Sequence, residues 1–112
     1  MNAGSMMQDA KGGQMNTPHN GHQPRFRLGI LLITPGAIAA LVEADQSAVA
    51  LLERHAYGDW GNLTPEDWQA NEHALQEGAR LFSAYLLTTG RRLWIITESD
   101  RCATTLLTPA EY

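Results

Sequence analysis

Three short runs decide the fold: Arg80-Leu-Phe-Ser-Ala-Tyr-Leu-Leu-Thr88, Leu93-Trp-Ile-Ile-Thr-Glu-Ser99 and Ala103-Thr-Thr-Leu-Leu-Thr108. Each is rich in β-branched or aromatic residues and too short for a typical helix, so each reads as a strand. The separators are Thr89-Gly90-Arg91-Arg92 and Asp100-Arg101-Cys102, both of hairpin length. Three strands joined in this way make an antiparallel meander.

Upstream, the period changes from two to 3.6. Thr64 is placed to cap a helix with Pro65 at its first position, Glu66 and Asp67 at the positive end of its dipole, and Leu63 stapling onto Trp68. That helix should run from Pro65 to about Glu77 and stop at Gly78. Thr34 and Pro35 repeat the same start signal, with Ile33 stapling onto Ile38. Between them, Ser47 to Tyr57 reads as a helix with Ala48, Leu51, Leu52 and His55 on one face, ended by Gly58. Phe26 to Thr34 (FRLGILLIT) reads as a buried strand bounded by the Thr-Pro-Gly break. The expected class is therefore α+β, in the order β-α-α-α-β-β-β, with helices packed on one face of the C-terminal meander. The pattern leaves open whether the first strand joins the meander.

Residues 1–24 contain no aromatic residue and no Val, Ile or Leu. Such a segment cannot offset its ordering entropy by burial, so a disordered N-terminal tail is expected, followed by a single small domain over residues 25–112. All four methionines (Met1, Met6, Met7, Met15) fall in this tail, so each is a candidate start. It lacks the apolar stretch of a secretory signal. His19 and His22 have metal-compatible spacing but no further ligands beside them.

Composition narrows the function. Apolar residues at 44% and charged residues at 18% are ordinary for a globular domain. A net charge of −4 argues against non-specific nucleic-acid binding. No apolar run approaches a membrane span. A lone cysteine, Cys102, excludes an intramolecular disulfide and a Cys-rich zinc site; no motif activates its thiol, and it reads as a small packing residue. The expectation is a cytoplasmic protein with no metal and no cofactor.

The charge is split. From Pro35 to Ala79 eight acids face Arg54 alone, whereas the rest of the body carries six arginines and three acids. The plain reading is a solvated helical surface; the sharper one is an acidic face at Glu66, Asp67 and Glu72 that docks a basic partner. Exposed strand edges invite a homodimer, and the run beginning at Ala103 carries no charge to blunt one.

Few side chains offer chemistry. His55 precedes Asp59 by four residues in Arg54-His-Ala-Tyr-Gly-Asp-Trp-Gly61. The two can form a base and its orienting carboxylate; alternatively His55 caps its helix end, Asp59 bonds turn amides and Trp60 fills the core. Glu98 and Asp100 can pair at a hairpin tip or bind a divalent ion beside Asp59, or they shape the turn with Arg101 as ion-pair partner. Trp60, Trp68 and Trp94 read as core anchors. No Gly-rich phosphate loop, nucleophile elbow or metal-ligand pattern is present.

Ile33-Thr-Pro-Gly-Ala37, Arg54-His55, Gly58-Asp-Trp-Gly61, Glu66-Asp67, Asn71, Arg80 with Ser83 and Tyr85, Leu93-Trp-Ile-Ile-Thr-Glu98, Asp100-Arg101, Thr104-Thr105 and Pro109-Ala-Glu-Tyr112 form a pattern spread over the whole body. With these motifs residues 28–112 resemble a family of small bacterial proteins encoded near plasmid and integrative-element genes; Cys102 stands where the resemblance leads to serine. It implies an accessory protein of a mobile element and brings no established activity. His55, Asp59, Trp60, Glu98, Asp100 and Arg101 all fall within the matching motifs, so one polar site is expected if the Gly58–Gly61 turn meets the Glu98–Arg101 tip. The leading expectation is a non-enzymatic module that regulates another protein through its acidic helical surface or a sheet edge. The alternatives are a small nuclease or toxin-like enzyme, or a small-ligand sensor using the polar site.

Overall fold

The structure, a computed structural model, describes residues 23–112. The tail and its His19–His22 pair lie outside the described residues, apart from Gln23 and Pro24. The element order is β1 (Ile30–Ile33), α1 (Pro35–Ala44), α2 (Ala48–Ala56), α3 (Pro65–Glu77), β2 (Leu81–Leu86), β3 (Arg92–Thr97), β4 (Ala103–Leu107) and a 3₁₀ turn at Pro109–Glu111. This is the expected α+β order.

The helix starts are where the start signals place them. Thr34 accepts the Ala37 amide at 3.1 Å, Ser47 the Ala50 amide at 3.3 Å and Thr64 the Asp67 amide at 3.1 Å. Gly78 ends α3 in the left-handed region.

The sheet runs β1-β4-β3-β2. The β2–β3 and β3–β4 pairs are antiparallel, and β1 joins parallel to β4, opposing Ile30 to Ala103 and Ile33 to Leu106. The meander therefore becomes a mixed sheet, with β4 inside it. The free edge expected at Ala103 does not exist; the free edge is β1.

Strand β1 is also shorter and more exposed than its sequence suggests. Gly29 breaks the extended run with a φ of +68°, and a Cβ there would lie 2.3 Å from the Cys102 carbonyl carbon. Ile30, Leu31, Leu32 and Ile33 are 68%, 52%, 49% and 41% exposed. An Ile/Leu run signals apolar surroundings only where neighbours exist, and among the described residues no strand lies beyond β1.

Period-two alternation sets the core. Tyr85, Leu93, Ile95 and Leu106 face α1 and α2 and pack on Ala37, Ala40, Leu41, Leu51 and Leu52. On the opposite face Trp94 meets Phe82 and Tyr112 edge-on, with ring centroids 5.0 and 5.5 Å apart. Of the three tryptophans only Trp60 is fully buried; Trp68 and Trp94 are half-buried. Among the described residues no single helix is long and apolar enough to cross a membrane.

Candidate functional site

The two edges of the sheet are built differently. Along β2 the outward backbone groups of Phe82 and Ala84 and the Leu86 amide are occupied. Phe82 gives its carbonyl to the Asn71 carboxamide and donates its amide to Asn71 Oδ1 at 3.1 Å. The Ala84 amide donates to the Trp60 carbonyl at 3.2 Å, and the Asn62 amide donates to the Ala84 carbonyl at 2.6 Å. Asn62 Oδ1 accepts the Leu86 amide at 2.9 Å. The chain approaches so closely at Gly61 that a Cβ would sit 2.2 Å from the Ala84 oxygen, at a φ of +81°. Helix α3 and the turn before it thus close this edge as another strand would.

Along β1 nothing among the described residues does so. The Ile30 amide donates to Cys102 O at 2.8 Å and the Thr34 amide to Leu106 O at 3.0 Å. In a parallel ladder alternate residues face the partner, so Leu31 and Ile33 turn their N–H and C=O groups away from β4, toward solvent. The edge carries no charged side chain, proline or bulge of the kind that commonly protects a free strand. An open groove lined by Pro24, Phe26, Leu28, Leu31 and Ala56 adjoins it.

Of the polar residues singled out in the sequence, His55, Trp60 and Arg101 come together around Phe26, whereas Asp59, Glu98 and Asp100 do not join them. His55 is fully buried. Its Nδ1 lies 2.5 Å from Ser83 Oγ and its Nε2 2.9 Å from Thr97 Oγ1; Thr97 Oγ1 lies 2.7 Å from Thr104 Oγ1, which donates to the Leu28 carbonyl at 2.7 Å. A carbonyl only accepts, and this fixes the proton order of the whole chain. Thr104 donates to Leu28, Thr97 donates to Thr104, His55 donates from Nε2, and Ser83 donates to Nδ1. Burial, with the nearby Arg101 charge, pushes the His55 pKa down to about 3, so the imidazole is neutral. It crosslinks α2, three strands and the segment before β1.

The base-and-carboxylate pairing of His55 with Asp59 is not formed, and the geometry matches the alternative in which Asp59 bonds a turn amide and Trp60 fills the core. Asp59 instead accepts Arg54 Nε at 2.7 Å and the Gly61 amide at 3.2 Å, closing its own turn. Trp60 stacks on Phe26 and meets His55 edge-on, and Arg101 lies over the Phe26 ring. Thus His55, Trp60 and Arg101 gather around Phe26. Among the described residues no hydrogen bond or ion pair joins Asp59 to Glu98.

At the hairpin tip Asp100 accepts the Cys102 amide at 2.9 Å, which holds its carboxyl below the usual range. Arg101 does not pair with an acid; its guanidinium donates to the Ala79, Glu98 and Ser99 carbonyls. Glu98 is exposed, and so is Cys102, which is not a packing residue. Asp100 raises the Cys102 thiol pKa.

On α3, Glu66 and Asp67 are exposed, but Glu72 is not a free charge. Arg25 grips both of its oxygens at 2.8 Å and Trp60 Nε1 donates to it at 2.9 Å. Among the described residues no group of three or more His, Cys, Asp or Glu is placed to hold a metal ion.

Several architectural residues fall within the quoted motifs but were given no role from the sequence. Ser83, Thr97 and Thr104 stand there only as small polar residues at inward strand positions. Glu111 is a second case: its carboxylate accepts Thr34 Oγ1 at 2.6 Å, the Gly36 amide at 2.9 Å and the Thr108 amide at 2.8 Å. It ties the last turn to the start of α1, next to the open edge.

No protein-family model, curated protein or solved structure matches this chain.

Proposed function

We propose that this chain is a non-enzymatic accessory protein of a bacterial mobile element, docking on another polypeptide through the outer edge of β1. One observation carries the docking mode: β1 offers unpaired backbone groups and four exposed apolar side chains, while the opposite edge of the same sheet is closed. Such an edge recognises an extended segment by strand addition, with main-chain hydrogen bonds supplying affinity and alternate side chains supplying selectivity. The mobile-element setting rests on the family resemblance of residues 28–112. Because Arg25 neutralises Glu72, the edge is favoured over the acidic face as the docking surface.

The test is selection of extended peptides from a random library, followed by mapping of amide shifts on the labelled protein. Binders with alternating apolar residues that shift Leu31 and Ile33 support the reading. Absence of such binders, or binders that shift only α3, contradicts it.

A further inference from the structure

The open edge is also complementary to itself. Resting on the docking role assigned to β1, we infer that the partner strand is β1 of a second copy, paired antiparallel about a two-fold axis through Leu32. Only residues whose backbone groups point outward can exchange hydrogen bonds, and the register that uses both Leu31 and Ile33 of each copy without drawing in Gly29 or Pro35 matches them with each other. Placing the axis at Leu32 does this twice. Leu31 of each copy exchanges both bonds with Ile33 of the other, giving four bonds, and Leu32 meets Leu32 as the close, non-hydrogen-bonded pair. The two four-stranded sheets then form one continuous sheet.

Charge and area agree with this register. Nothing on β1 is charged, so no like charges meet at the axis. Arg27, exposed and without an ion pair among the described residues, is carried toward the Thr34–Gly36 end of the other copy, where the Glu111 carboxylate sits. The pairing thus sets opposite charges on the same side at each end. With roughly 100 Å² exposed on each of the four apolar residues, the pairing buries at most about 800 Å² across both copies, the size of a weak, transient contact held in register by its main-chain bonds. A closed two-fold contact also uses up the edge, leaving none free for further addition.

Sedimentation velocity on the full chain, from about 1 µM to about 1 mM, reads this directly, because a contact of this size gives a reversible, micromolar dimer. The mass should rise from 12.3 kDa toward twice that value with concentration. Leu32→Lys sets two like charges on the axis, and Leu31→Pro deletes an outward N–H without touching the β4 ladder; each should hold the chain monomeric. Should either fail to fold, Leu32→Cys in a Cys102→Ser background decides. A non-hydrogen-bonded pair has Cα atoms about 4.5 Å apart, within disulfide range, so the variant should oxidise to a covalent dimer. A monomer throughout, a dimer unaffected by Leu32→Lys and Leu31→Pro, or no crosslink overturns the inference. If the protein is monomeric but strand peptides still shift Leu31 and Ile33, only the second-copy assignment fails. If no such peptide binds either, the docking role fails with it.

Discussion

The Asn71 side chain takes both outward backbone groups of Phe82, its carboxamide nitrogen donating to the carbonyl and its oxygen accepting the amide. One buried side chain thereby stands in for a neighbouring strand on β2, while Leu31 and Ile33 on β1 have no counterpart among the described residues. This asymmetry underlies the functional reading.

Asn71→Ala should leave the Phe82 amide and carbonyl beside α3 without partners, costing about 1–3 kcal/mol. For a domain of this size that corresponds to a fall in Tm of roughly 4–20 °C, readable by thermal unfolding. Amide exchange should speed up at Phe82 and stay unchanged at Leu31.

Stability should depend on His55 in a defined pH window. The folded pKa is about 3 against an ordinary 6.5, so between these values the unfolded chain binds a proton that the folded chain refuses. The contribution is complete above pH 6.5 and falls as pH drops toward 3, by at most about 1.4 kcal/mol per pH unit. His55→Gln should flatten the urea-unfolding stability profile between pH 6.5 and 5, although it lowers stability at pH 7.

Glu111 titrates lower. Hydrogen bonds from the Thr108 amide, Thr34 and the Gly36 amide hold its carboxyl at about 2 against an ordinary 4.5. Its stabilisation is present above pH 4.5 and disappears as pH falls toward 2. Glu111→Gln should remove that acid loss while leaving the His55 window intact, and it should loosen the start of α1 in amide exchange.

Much of the fold was legible because local signals and tertiary structure agreed. The Thr-Pro starts of α1 and α3 and the strand–turn–strand rhythm of β2, β3 and β4 depend on neighbours in sequence. β1 was misjudged because Ile30–Ile33 resembles a buried strand, and exposure depends on what lies across space. The candidate site failed similarly. Spacing placed His55 near Asp59, but His55 points into the sheet, where Ser83 and Thr97 satisfy both nitrogens, and Asp59 turns to Arg54. Long-range pairs such as Arg25–Glu72 and Thr34–Glu111 leave no trace in spacing.

The Arg25–Glu72 pair has its own consequence. Glu72→Lys, the charge reversal that would probe an acidic docking face, also expels Arg25 and strands Trp60 Nε1. It should lower stability by about 1–2 kcal/mol and change Trp60 fluorescence, whereas Glu66→Lys should cost only its helix-dipole contribution, under about 1 kcal/mol, and leave Trp60 fluorescence unchanged. Loss of binding in Glu72→Lys alone is therefore a folding effect.

The most direct measurement of the central claim is residue-resolved amide exchange of the full chain in dilute solution, then again at high concentration or with a strand-forming peptide. The account predicts fast exchange at Leu31 and Ile33 in dilute solution, strong protection of both on association, and constant protection at Phe82, Ala84 and Leu86. Leu31 and Ile33 amides that exchange equally fast under every condition would contradict it.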